Sequence, residues 1–255
     1  MPITSRQNPF VKKAASLKQK KYRDELSLYI IEGEKMVSEA IATGQEIDSV
    51  VVSENALDNF CVGDLPKEKI VEVSESVFKT ISDEMTPQGV LAIVKIPESR
   101  AIGSLTRCIL LDGLQDPGNV GAILRIAAAC GIDHVFAVSC ADPYSPKAVR
   151  SSMSGIFRTE VIKTDRRSSL NLLRENNVPL LVADMAGKNV FDMGERQKFC
   201  LAVGNEGNGI SDFFADNADE VLSVPMQNGI ESLNVAVATD VIVYALTRNG
   251  SDSKK

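Results

Sequence analysis

The chain has 255 residues, 44% hydrophobic and 24% charged, the balance of an ordinary soluble globular protein with room for one large domain or two modest ones. A net charge of −6 argues by itself against nucleic acid as a partner, no apolar run approaches the roughly 20 residues that span a bilayer, and the basic N-terminus lacks the apolar core of a secretion signal. Five cysteines without a CxxC pair (Cys61, Cys108, Cys130, Cys140 and Cys200) suit reduced thiols in a cytosolic protein and set aside a structural zinc site, and the single histidine, His134, set at the entrance to an expected strand, sets aside Ser-His-Asp chemistry.

In chain order, the first block opens with Arg6, Lys12, Lys13, Lys18, Lys20, Lys21 and Arg23 before any acidic residue, over an expected basic helix near residues 8–23. Such a run on an acidic protein is either the footprint of a phosphate backbone or a solvated helix face. Lys12, Lys13, Lys20 and Lys21 are the expected RNA contacts on the first reading, with Arg150 from a second basic concentration that also holds Lys147, Arg158, Lys163, Arg166 and Arg167. LYIIEG, the helical EKMVSEAIATG closed by Gly44, strand-like IDSVVVS and VLAIVKI then suggest a small α/β unit over residues 1–97. IPESRAIGS has the composition of a linker, expected over 98–105. Beyond it CILLD, HVFAVS, PLLVAD, FCLAV and EVLSV are short apolar strands alternating with helical segments, which predicts a parallel sheet with helices on its faces over 106–250, followed by a disordered tail over 251–255.

Three of these strands run into glycine- and amide-rich turns: GLQDPGNVGAILR, GNEGNGIS and PMQNGIESLN. In open parallel sheets ligands bind beyond the carboxyl ends of the strands, so the three turns are expected to line one cleft. Neither GxGxxG nor GxxxxGK[ST] is present, which disfavours a nicotinamide dehydrogenase or a P-loop enzyme.

After the first turn, Pro117 and Asn119 suit a helix start, with Asn119 able to cap, and the following helix is apolar or small nearly all round. Arg125 is its only charge up to Ile132. Packed on both sides it would need an anion, either a carboxylate in a salt bridge or a phosphate at a catalytic site. In the second turn Gly204, Gly207 and Gly209 allow main-chain groups to approach a ligand around Glu206, although an ordinary strand-to-helix loop reads the same way. In the third, Glu231, Ser232 and Asn234 stand at the mouth of a helix that is apolar on every side from Val235 onward, and Asn228 with Glu231 resembles a capping pair.

Together DPGNVGAILR, VGNEGNGIS and VPMQNGIESLNVAVA resemble the three motifs of the SpoU (TrmH-type) RNA 2′-O-ribose methyltransferases of the SPOUT superfamily, in the same order and at similar separations, over roughly Cys108 to Leu246. The N-terminal block resembles the small α/β RNA-binding domain that many members carry. The resemblance implies an α/β protein whose C-terminal parallel-sheet methyltransferase domain is knotted as a trefoil, preceded by a smaller N-terminal α/β RNA-binding domain. It implies an S-adenosylmethionine-dependent, metal-free, cytoplasmic enzyme acting on ribosomal or transfer RNA. A ribosome-assembly or RNA-binding factor that keeps the fold without catalysis is the alternative.

Residue by residue, the resemblance implies catalytic roles for Asn119, Arg125, Glu206, Ser232 and Asn234, and cofactor contacts at Gly204, Val224, Leu233 and Asn234. Arg125 would act as a base or as an electrostatic orienter. Asn205 departs from the family, where many members have serine. Two helices apolar on more than one face, and a family site built across a two-fold axis, together predict a homodimer.

Overall fold

The structure is a computed structural model that describes residues 1–56, 65–98, 102–229 and 232–247. The chain forms two compact units, Met1–Glu98 with Tyr144–Phe157, and Ser99–Pro143 with Arg158–Lys255.

The expected basic helix is two helices, α1 (Pro9–Ser16) and α2 (Lys20–Leu26). Asn8 caps α1 by accepting from the Phe10 amide at 2.8 Å, with Pro9 at the first helical position. The break follows from Arg23, which is only 3% exposed and turns back to donate to the Leu17 carbonyl at 2.7 Å, closing the end of α1. Then come β1 (Leu28–Glu32), α3 (Glu34–Ala42), β2 (Ile47–Ser53), β3 (Ile70–Val73), α4 (Glu75–Ile81) and β4 (Val90–Lys95). The sheet order is β1-β4-β2-β3, antiparallel except for the parallel β2–β3 pair. Val11, Ala14 and Leu17 on one helix, and Val77, Phe78 and Ile81 on another, pack with Leu28, Ile30, Val51, Leu91 and Ile93 of the sheet. Each such fully buried large side chain stabilises the fold by about 1.5–3 kcal/mol. Lys18 donates to the carbonyls of Thr80 (3.1 Å) and Ser82 (2.5 Å), closing the end of α4. Lys18 and Arg23 therefore hold helix ends, while Lys12, Lys20 and Lys21 are exposed and Lys13 lies 3.6 Å from Asp48.

The second unit begins with β5 (Arg107–Asp112), α5 (Pro117–Ala129) and β6 (His134–Val138). The segment Tyr144–Phe157, with α6 (Pro146–Ser152), follows in sequence but belongs to the first unit. There the Tyr144 and Tyr29 rings lie 5.0 Å apart, and Arg150 pairs with Asp83 at 2.7 Å and Glu84 at 3.4 Å. The second unit resumes with β7 (Glu160–Thr164), α7 (Arg166–Glu175), β8 (Leu180–Asn189), β9 (Phe199–Gly204), α8 (Asp212–Ala215), β10 (Glu220–Ser223) and α9 (Val235–Thr247). Its six strands are all parallel, in the order β10-β8-β9-β5-β6-β7. Alternation along β5 and β9 sends Cys108, Leu110, Cys200 and Ala202 into one core layer with Phe136, Leu173 and Phe214, while α5 and α9 pack together against the sheet.

His134 sits at the start of β6 as expected, its Nε2 3.6 Å from Glu160 on the neighbouring strand. Cys108 and Cys200 are buried, Cys130 and Cys140 half-buried, and all four are free thiols, whereas Cys61 and the expected tail lie outside the described residues. Among the described residues no helix is long and apolar enough to cross a membrane.

Candidate active site

The turns after β5, β9 and β10 meet through their side chains. Asp116 caps α5, accepting from the Gly118 amide at 2.9 Å, so the cap falls three residues before Asn119. Pro117 sets this, because it lacks an N–H and its fixed φ suits the first helical position. The Asn119 amide is left for another purpose. It donates through Nδ2 to Glu206 Oε1 at 2.7 Å and accepts through Oδ1 from Asn234 Nδ2 at 3.0 Å. Asn234 Oδ1 in turn accepts from the amides of Ala236 (3.0 Å) and Val237 (3.3 Å). A carboxylate at one end only accepts and main-chain N–H groups at the other only donate, so both amide orientations are forced along the whole chain.

Asn234 therefore opens α9, in place of the expected Asn228–Glu231 pair. Asn228 (φ 57°) and Gly229 (φ 73°) are both left-handed, which no right-handed helix can include, and Glu231 lies outside the described residues.

The second turn is held shut from several sides. Asn205 and Gly209 exchange main-chain hydrogen bonds, both 2.9 Å, directly over Gly204. A Cβ on Gly204 would lie 2.2 Å from the Gly209 carbonyl carbon and the Ile210 nitrogen, so only glycine fits. Asn205, the departure from the family, accepts through Oδ1 from the Gly207 and Asn208 amides and donates through Nδ2 to the Gly113 carbonyl at 3.0 Å. The far end of the loop is tied down by Asp112, 2% exposed, which accepts from the Ser211 amide at 2.9 Å. Asp112 was not singled out from the sequence; its signal there is an acid closing the otherwise apolar strand CILLD.

The turns after β9 and β10, with β8 beside them, line a cavity of about 640 Å³, formed by Gly204, Glu206, Val224, Ser232, Leu233 and Asn234 with the apolar side chains of Val203, Leu222, Met226 and Ile242. Its size and mixed lining of apolar side chains and main-chain amides fit a nucleoside cofactor such as S-adenosylmethionine. Every expected cofactor residue lies on this wall, and so do three of the expected catalytic ones, Glu206, Ser232 and Asn234, with Asn119 bonded to two of them.

Arg125 is elsewhere. Six residues beyond Asn119 it has turned about 240° around the helix, and it is exposed with no hydrogen-bond or ion-pair partner among the described residues. Packing on both sides, the condition under which Arg125 would need an anion, is not met within the chain: the side bearing Arg125 and Ala129 is open. α9 has a matching open side, with Val237 49% and Tyr244 52% exposed. Among the expected RNA contacts, Arg150 is held by Asp83 and Glu84, while Lys12, Lys20 and Lys21 are exposed, Lys21 with its ammonium 5.7 Å from the Tyr22 ring centroid.

A parallel α/β sheet whose strand-end turns line a nucleoside-sized cavity has the ligand site of a cofactor-binding α/β protein. Residues 106–244 match the model of the SpoU rRNA Methylase family, and residues 8–92 match the MRM3-like substrate binding domain. The Bacillus subtilis 23S rRNA (guanosine(2553)-2′-O)-methyltransferase RlmP is 31% identical over 247 residues, covering 96% of this chain and 98% of its own. The mitochondrial rRNA methyltransferase 3A of Danio rerio is 26% identical, covering 93% of this chain and 67% of its own. The structure of AdoMet-bound rRNA methyltransferase from Sinorhizobium meliloti superimposes with a TM-score of 0.87 at 28% identity, covering 98% of both chains. The chain belongs to the SpoU rRNA methylase family. It is an RNA methyltransferase, and its methyl donor is S-adenosylmethionine.

Proposed function

We propose that the protein methylates a ribose 2′-hydroxyl of large-subunit ribosomal RNA, working in the cytoplasm as a homodimer. The observation that carries catalysis is the Glu206–Asn119–Asn234 chain, which ties all three motif turns into one polar wall. The preference for ribosomal over transfer RNA rests on the Bacillus subtilis relative, which aligns over nearly its whole length.

Bound in the cavity, S-adenosylmethionine supplies a methyl group activated by a sulfonium. The chain's own task is to hold the 2′-hydroxyl in line and to manage its proton. Main-chain groups at Gly204, Val224 and Leu233 hold the cofactor, while Asn119, Ser232 and Asn234 orient polar groups beside it. Arg125 stabilises the charge that develops on the ribose oxygen.

Because Arg125 points away from its own chain's cavity, it serves the site of a second copy, docked through the open sides of α5 and α9. Val237 and Tyr244 form the apolar part of that interface. We read the C-terminal segment as forming a trefoil knot; what supports this is that the chain leaves β10 at the sheet edge and returns α9 to pack on α5 and β9. The first unit supplies RNA affinity through Lys12, Lys20 and Lys21, and the second unit binds cofactor.

Transfer of labelled methyl groups to in vitro transcribed large-subunit ribosomal RNA and to transfer RNA, followed by mapping of 2′-O-methyl sites, tests the proposal. One labelled ribose in the ribosomal transcript is expected. Label only in transfer RNA overturns the substrate assignment, and none in either returns the non-catalytic alternative. Light scattering that finds a fully active monomer at micromolar concentration overturns the shared site.

A further inference from the structure

We infer that Arg166 grips a backbone phosphate of the RNA substrate and that Asp112 is the positioning residue that aims it. This rests on the reading of the chain as an RNA methyltransferase.

Asp112 ends β5 with its carboxylate buried. One oxygen accepts from the Ser211 amide at the close of the cofactor loop, and the other accepts from Arg166 Nε at 3.0 Å. Arg166 opens α7, which follows β7, and β7 is separated from β5 by β6. The side chain therefore reaches back over the end of β6 to the strand that leads into the first motif turn.

The manner of contact matters. Arg166 engages Asp112 through Nε alone, its two terminal nitrogens have no partner among the described residues, and the side chain is 45% exposed. Neutralising a buried carboxylate is best done by a guanidinium that uses its paired donors on it. Here the guanidinium is anchored by its inner nitrogen and its outer donors face solvent, at the end of the sheet where the motif turns gather. An arginine fixed in this way presents a planar fork that fits two oxygens of one phosphate, with less side-chain freedom left to lose on binding. The neighbouring Arg167 is also exposed and adds positive potential. Since the same carboxylate secures the cofactor loop, RNA grip and cofactor loop share one anchor.

The decisive variant is Arg166→Lys in the full-length protein. Lysine keeps a positive charge for Asp112, but its single ammonium cannot also grip a phosphate with a fork. The thermal midpoint and the cofactor Kd are expected to stay within about twofold or a few degrees of wild type. The KM for in vitro transcribed large-subunit ribosomal RNA is expected to rise about tenfold, and the slope of log K against log salt to fall by about 0.7–0.9, the share of one phosphate. Asp112→Asn should also raise the RNA KM, and combining it with Arg166→Lys should add little, because an unaimed fork has already lost its grip.

Wild-type RNA KM and salt slope in Arg166→Lys would show that Arg166 is only the ion partner of Asp112, and would overturn the inference even if Arg166→Ala folds poorly. If the wild-type protein binds the transcript without methylating it, the functional reading fails while the salt slope still decides Arg166. If the wild-type protein does not bind RNA, both fail.

Discussion

Replacing Asn119 with alanine removes the middle of the polar chain that joins the three motif turns. Two hydrogen bonds disappear, one of 2.7 Å to the Glu206 carboxylate and one of 3.0 Å from Asn234. A hydrogen bond to a charged group contributes roughly 1.5–3 kcal/mol and a neutral one roughly 0.5–1.5 kcal/mol. Glu206 and Asn234 are both exposed and would regain water, so the low end of each range applies, about 2 kcal/mol together. If that loss falls on the transition state, kcat/KM drops about 30-fold. Stability should change little, because Asn234 still caps α9 and the cofactor loop keeps its ties to Gly113 and Asp112. Steady-state methyl transfer, with a cofactor titration and a thermal melt on the same preparation, reads all three quantities. A kcat/KM within twofold of wild type would refute the reasoning, as would a loss of activity that merely tracks a loss of folded protein.

Arg125→Ala is expected to abolish transfer with cofactor affinity nearly intact, and lysine to rescue poorly; normal turnover per folded molecule would reduce Arg125 to a surface residue. Gly204→Ala forces a Cβ to 2.2 Å from main-chain atoms that no rotamer change can move, so calorimetry should find cofactor binding lost in a chain that still folds. Charge reversal at Lys12, Lys20 and Lys21 should weaken RNA binding and flatten its salt dependence, and unchanged affinity would remove the first unit from RNA recognition. Burial holds the Glu32 carboxyl above its ordinary value of 4.5, so the folded protein binds that proton more tightly than the unfolded chain does. Its contribution is complete below that pH and fades as pH rises through the raised value, so the melting advantage of Glu32→Gln over wild type should widen from pH 4.5 upward; a constant difference between the two melts contradicts it.

Apolar runs were legible as strands: CILLD, HVFAVS and FCLAV became the interior strands β5, β6 and β9, and PLLVAD and EVLSV became β8 and the edge strand β10. The ones passed over, IVEV and EVIKT, are edge strands whose polar residues face solvent, so their pattern is weak. Asn119 looked able to cap α5, but Asp116 does so, and Pro117 at the first helical position is the local signal for it. Charge was visible in the sequence but not its destination. Nothing in KQKKYR distinguishes Arg23, turned inward onto α1, from Lys20 and Lys21 in solvent, because its partner is set by packing. Arg125 was legible as the lone charge on a helix apolar on more than one face, but only the tertiary structure shows that the side bearing it is the one its own chain leaves open. The sequence by itself determined what depends on neighbours a few residues away, which is periodicity, caps, turns and the identities of the motif residues. The site depends on distant ones. Glu206 and Asn119 are 87 positions apart and Asn119 and Asn234 are 115 apart, and they meet because β5 and β9 are neighbours in the sheet and α9 packs on α5 and β9.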